Sequence, residues 1–148
     1  MSDISVVKRN GQVEDLHLTK IHDMVEHACK GLAGVSESAV EMNANLQVFD
    51  GIKTSDIQEI LIRSANDLIT LEAPNYQFVA ARLLLFGLRK QVYNGHPDLR
   101  PHIQEHVWDC IERGVYDKTI YSAYDDEEWD RIESFIDHDR DYLLHTLD

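Results

Sequence analysis

Between Asn75 and Tyr93 the chain is apolar nearly all round a helical wheel, with Phe78, Val79, Ala80, Ala81, Leu83, Leu84, Leu85, Phe86 and Leu88. A helix without a polar face must be enclosed by other elements, so this stretch predicts the central, most buried element of the fold. The segments before it supply the enclosure. From Thr19 the apolar positions Ile21, Met24, Val25, Ala28 and Leu32 keep a 3-4 spacing that ends at Gly31 and Gly34. Ser36 or Ser38 opens a second helix carrying Val40, Ala44 and Leu46, and Asp50-Gly51 marks a turn. Thr54 and Ser55 are both capable N-caps of a third, and Ser55 with Gln58 fits a capping box. Its buried stripe is Ile57, Ile60, Leu61, Ala65, Leu68 and Ile69, and Glu72-Ala73-Pro74 breaks it before the central helix starts.

Ahead of these helices, residues 4–9 and 12–16 flank Asn10-Gly11, which predicts two short strands joined by a type I′ turn. Beyond Asn94-Gly95-His96-Pro97, a breaker cluster, shorter helices are predicted near 99–113 (ended by Gly114), 117–123 and 125–136, the last opening on Asp125-Asp126-Glu127-Glu128. The fold class is therefore mostly α: an N-terminal β-hairpin capping a four-helix bundle, followed by additional short helices. The breaker divides the chain into residues 1–95 and 96–148. The first part carries 12 acidic and 9 basic side chains, the second 15 and 5. Most of the formal charge of −13 thus lies in the acidic last third.

That charge argues against free duplex binding, which needs a basic face to release counterions. No apolar run approaches the roughly 18 residues of a membrane span. The opening Met-Ser-Asp-Ile-Ser has neither a basic n-region nor an apolar h-region, so no secretory signal is expected. Two cysteines, Cys29 and Cys110, make no disulfide framework and point to a reducing, cytoplasmic setting.

Several residues could carry chemistry. Lys8 and Arg9 adjoin the hairpin turn, Lys20 opens the first helix, and Arg89 and Lys90 end the central one. Thr54 and Ser55 offer hydroxyls and N–H groups at a helix N-terminus, a ready anion site. If the hairpin folds over the bundle, these groups converge on a polyphosphate. Spacing leaves open the alternative, in which Lys8 and Arg9 guard a strand edge and Arg89 and Lys90 complement a helix C-terminus. His102-Ile103-Gln104-Glu105-His106 matches H-x-x-E-H, an inverted zinc-peptidase signature. A third zinc ligand is not evident, and the motif reads as a solvated His/Glu helix face. Asp125 to Asp130 lacks the glycine of a calcium loop, and His138, within Asp137–Asp141, reads as polar surface. Neither cysteine has the surroundings of an activated nucleophile.

Val7-Lys8-Arg9-Asn10-Gly11 and Leu18-Thr19-Lys20-Ile21, followed by Ile52-Lys53-Thr54-Ser55-Asp56-Ile57 and Ala80-Ala81-Arg82-Leu83, resemble an ATP-cone in order and spacing. The resemblance continues through Gly114-Val115-Tyr116-Asp117 to Phe135-Ile136-Asp137-His138-Asp139-Arg140-Asp141. Over about residues 4–141 the chain looks like the N-terminal region of a class I ribonucleotide reductase large subunit. The resemblance implies that residues 1–95 are an allosteric activity domain and that 96–148 begin the reductase's helical region. In that family ATP on the cone keeps the enzyme on, and dATP turns it off by changing subunit assembly.

By position, Lys8, Arg9, Lys20, Thr54 and Lys90 would contact phosphates, with magnesium arriving on them and no protein residue assigned to a metal. Glu14 would face the adenine amino group, with His17 beside it. Val6, Ile21, Ile57 and Phe86 would wall base and ribose. Gln58 stands where relatives often carry a histidine near ribose and phosphates, and His17 replaces a common asparagine. The implied partners are the rest of the large subunit and the small, radical-generating subunit, with no nucleic acid and no membrane. The family's catalytic cysteines lie far downstream, and Cys29 and Cys110 match none of them, so this chain alone is expected to be non-catalytic. A second reading is a degenerate cone that docks reductase subunits without binding nucleotide.

Overall fold

The computed structural model describes residues 4–45, 47–93 and 100–145. Leu46 and the predicted Asn94–Pro97 boundary lie outside the described residues. The chain forms two compact units, one reaching Gly87 and rejoined from Asp141, the other running Leu88–Arg140. It is mostly helical, with one small sheet.

In the first unit, β1 (Ser5–Val7) and β2 (Val13–Asp15) pair antiparallel, with Val6 opposite Glu14. The expected type I′ turn is replaced by a three-residue loop. Lys8 N–H donates to the Gln12 carbonyl at 2.8 Å, and Gly11 N–H donates to the Lys8 carbonyl at 2.9 Å. The Asn10 side-chain oxygen takes the Gln12 N–H at 3.1 Å, and Gly11 sits at φ 82°. This side-chain turn moves the strand pairing inward by one residue and leaves Arg9 in the loop.

A third strand has no counterpart in the sequence-based reading. β3 (Ile52–Lys53) pairs in parallel with β1, giving the order β2-β1-β3. Asp50 fastens its approach, because Ser5 donates to one Asp50 oxygen from its N–H at 2.8 Å and from its hydroxyl at 2.7 Å. Gly51, at φ 80°, donates back to the Ser5 carbonyl at 2.9 Å.

The helices are α1 (Leu18–Cys29), α2 (Glu37–Asn45), α3 (Thr54–Asp67) and α4 (Tyr76–Val92). The Ser36 hydroxyl accepts from Ala39 N–H and starts α2. Val6, Val25, Ala28, Val40, Ile52, Leu61, Ala65, Val79 and Leu83 bury into one core shared by sheet and helices. Each large aliphatic side chain so buried contributes on the order of 1.5–3 kcal/mol. The expectation of a central helix enclosed all round holds only for its first half. Tyr76, Val79, Ala80, Ala81 and Leu83 are buried, whereas Leu84 is 52% and Leu88 50% exposed. Arg82 closes the opposite end of α1, donating to the Ala28 carbonyl at 3.0 Å and the Lys30 carbonyl at 2.8 Å. Its guanidinium also lies 4.9 Å from the ring centre of Tyr142.

The second unit contains α5 (Ile103–Glu112), α6 (Lys118–Ser122) and α7 (Asp126–Glu133). α5 begins later than the predicted residue 99 because the His102 imidazole is its N-cap, accepting from Gln104 N–H. α7 stops before the predicted residue 136, and Asp125 with Glu128 forms a complete capping box at its start. Buried Trp129 packs against Tyr121 and Tyr124. No helix among the described residues is long and apolar enough to cross a membrane.

Hydrogen bonds from Ser5 hold the Asp50 carboxyl below its ordinary value of 3.8, the hydroxyl bond leading. A depressed carboxyl stabilises the fold fully above its unfolded pKa, and this is lost as pH falls through the folded pKa. Asp50→Asn is therefore expected to lower the urea midpoint at pH 7. The gap to the parent chain should narrow below pH ~3.8, as followed by circular dichroism.

Candidate functional site

The parallel register of β1 and β3 sets the geometry. Val7 pairs with Lys53, the residue from which α3 starts at Thr54, and Lys8 follows Val7 directly at the end of β1. Neighbouring strands lie about 4.8 Å apart. The strand runs into the helix without a break, which makes extended Lys53 (φ −75°, ψ 143°) the N-cap, with no side-chain cap bond. The expected Ser55–Gln58 capping box is thereby corrected. Ser55 is already inside the helix and its hydroxyl bonds Asp56 at 3.2 Å, while Gln58 turns inward. Lys53 therefore offers no side-chain acceptor to the first-turn N–H groups of α3, which lie at the positive end of the helix dipole.

Glu14 gathers the nearby cations. Its carboxylate lies 2.7 Å from Lys8 Nζ and 3.8 Å from Lys20 Nζ. The Lys8 hydrogen bond, joined by the charges of Lys20 and Lys8, holds this carboxyl below its ordinary value against a cost of desolvation. Val6 lies opposite Glu14 and beside Ile52 in the sheet and is buried. Arg9 is exposed in the hairpin loop, and His17 is exposed at the N-cap position of α1. Ile57 belongs to the core. Phe86 meets the His27 ring of α1 edge-on at 6.0 Å.

Two further predicted residues lie on other parts of the helices. Ile21 lines a cleft of about 270 Å³ with Leu18, Thr19, His22, Glu41 and Asn45, where His22 Nδ1 and Glu41 lie 2.7 Å apart. Lys90 is in the last turn of α4, past Gly87, and belongs to the second unit. Gln58 is 8% exposed and donates from Nε2 to the Leu83 carbonyl at 2.6 Å.

The H-x-x-E-H pair is not assembled as a zinc pair. His102 spends Nδ1 on the Gln104 N–H and sets Nε2 3.3 Å from Asp130, while His106 faces Cys110. Burial, the leading cause, pushes the Cys29 thiol up to about 11, the opposite of what a nucleophile needs.

Residues 4–91 match the family model described as the ATP cone domain. The chain belongs to the ATP-cone family. The cone and the segment after it are 45% identical over 139 residues to the ribonucleoside-diphosphate reductase 1 subunit alpha of Escherichia coli (strain K12), covering 94% of this chain. Identity to the corresponding subunit alpha of Haemophilus influenzae is 44% over 138 residues, or 93% of the chain. With that of Helicobacter pylori it is 39% over 144 residues, or 97%. The chain spans 18% of the length of each of these relatives.

Two structural features of the cone give no signal in the sequence. Ile52-Lys53 is too short to show a strand period, so the pairing of β1 with β3 was invisible. Gly87 gave no signal either, since a helical glycine usually marks nothing. Here a Cβ at residue 87 would lie 3.1 Å from Gln58 Cγ. Gly→Ala inside a helix ordinarily gains about 1 kcal/mol. Gly87→Ala in the cone should instead give no gain or a net loss, because Gln58 must shift from the Leu83 carbonyl. Gly87→Ala in a Gln58→Ala background should recover the gain, and a double-mutant cycle by urea denaturation measures the difference.

Proposed function

We propose that this chain is the allosteric nucleotide-binding region of a ribonucleoside-diphosphate reductase large subunit, taking ATP as activator and dATP as inhibitor. The observation that supports the reading is the parallel β1–β3 pairing, which joins Val7, next to Lys8, to Lys53, the N-cap of α3, while Glu14 holds Lys8 and Lys20 together. In this reading the β1–β2 hairpin caps the bundle of α1–α4, and residues 1–95 are the functional cone. Residues 96–148 begin the reductase's helical region.

The triphosphate replaces Glu14 as counter-ion of Lys8 and Lys20, and Arg9 and Thr54 add contacts to it. Charge-assisted bonds of this kind are roughly twice as strong as neutral ones. Freed from the lysines, Glu14 accepts from the adenine amino group, with the His17 backbone beside it. Val6, Ile21, Ile57 and Phe86 wall base and ribose, and Gln58 lies beneath. Magnesium enters on the phosphate oxygens. Glu14 is committed to lysines rather than to a metal, so no protein ligand is assigned to it.

Regulation then follows from linkage. A nucleotide shifts subunit assembly only by the difference in its affinity for the two assembly states. The partners of this switch are the remainder of the large subunit and the small, radical-generating subunit.

Isothermal titration of the purified chain with magnesium–ATP and magnesium–dATP tests the proposal. We expect saturable binding of at least one nucleotide. Lys8→Ala with Arg9→Ala should weaken it by at least about tenfold, since a hydrogen bond to a charged group contributes about 1.5–3 kcal/mol. Failure of the folded chain to bind either nucleotide, or unchanged affinity in the double variant, would overturn the reading.

A further inference from the structure

Within the second unit, one helical turn of α5 presents three metal-ligand types on a single face. Among the described residues, His106, Asp109 and Cys110 are the group whose donor atoms all lie within 4.8 Å of one another. The spacing i, i+3, i+4 puts them on neighbouring positions of the helix surface. His106 Nε2 is 3.7 Å from Cys110 Sγ. In a tetrahedral site with bonds of ~2.0 Å to nitrogen and ~2.3 Å to sulfur, that edge would measure about 3.5 Å. The imidazole is braced from its other side by the Tyr93 ring, edge-on at 5.0 Å.

A cation already occupies the place a metal would take. Arg113 Nη2 lies 2.7 Å from Asp109 Oδ2 and 3.4 Å from Cys110 Sγ. Asp109 Oδ2 is buried and makes no directed hydrogen bond, so its link to the guanidinium is electrostatic. Arg113 also reaches the Val92 carbonyl at 3.3 Å, but its side chain is 34% exposed and can swing into solvent.

We propose that His106, Asp109 and Cys110 form a binding site for a borderline divalent transition-metal ion of the zinc class, with Arg113 as the resident cation that the metal displaces. As the metal–sulfur bond forms, the Cys110 S–H bond breaks and its proton passes to solvent. His106 gives a ring-nitrogen lone pair, Asp109 a carboxylate oxygen, and water completes the fourth position. The thiolate and imidazole select this class over magnesium or calcium, which prefer oxygen. The site involves none of the residues of the nucleotide reading and stands whether or not that reading holds.

The test is titration of the reduced full chain with Co2+, followed by absorption spectroscopy. The expected result is a thiolate-to-cobalt charge-transfer band that saturates at one equivalent and disappears when Zn2+ is added. Cys110→Ser should abolish the band, and Cys29→Ser should leave it unchanged. His106→Ala should weaken binding by at least about tenfold. Arg113→Met should tighten it by about tenfold, because a competing like charge has been removed. This last variant changes a partly exposed side chain and stays informative should Cys110→Ser fail to fold by circular dichroism. No charge-transfer band, a band that survives Cys110→Ser in a folded chain, or unchanged affinity in Arg113→Met would each overturn the proposal.

Discussion

Two residue pairs of parallel sheet, Val6 with Ile52 and Val7 with Lys53, are the constraint on which the first unit is organised. Parallel neighbours cannot be joined by a tight turn and need a long crossover. Here the crossover consists of the rest of the hairpin, α1 and α2. So short a pairing contributes little by itself, and its position is secured by the burial of Val6 and Ile52 and by Asp50 holding both donors of Ser5. That junction joins β1, which ends next to Lys8, to the strand that runs directly into α3.

The charge distribution shows why a net charge of −13 does not exclude an anion-binding role. Net charge describes the field far from the molecule, whereas a ligand meets the few groups within a Debye length. Lys8 and Lys20 are kept close by one shared carboxylate, Glu14, which lowers their mutual repulsion. The surplus of acid is carried mainly by the last third of the sequence.

Much of this was legible in the residues, and the failures share a physical cause. Helix stripes such as Val25, Ala28 and Leu61, Ala65 were readable because burial follows a fixed period. Arg9, Asn10 and Gly11 announced a hairpin but not its loop, since the Asn10 carbonyl outcompeted the backbone for the Gln12 N–H. Ser55 and Gln58 matched a capping box by spacing, yet β3 enters α3 directly and carries both residues past the cap. The enclosing of α4 was overstated because an apolar wheel records what could be buried, not what neighbours are present to bury it. His102 and His106 matched a zinc signature by spacing alone. His102 lies one turn away and is spent on capping, while the donors that meet His106 follow it in α5. Apart from α4, a local pattern correct in chemistry was displaced by a strand pairing distant in sequence or by one competing side chain.

The bond from Gln58 to the Leu83 carbonyl has a mechanical meaning beyond its strength. Two helices packed only by aliphatic side chains can creep along each other, trading one set of contacts for a similar one. A side-chain amide fixed to a single backbone oxygen removes that freedom, because a one-residue step along the axis, about 1.5 Å, would break it. Gly87 lets the same side chain lie flat against α4, so the contact is both short and shallow. Tilt about this point remains open to the pair, and sliding does not. α3 and α4 are thus held in register at one fixed point as well as by their packing.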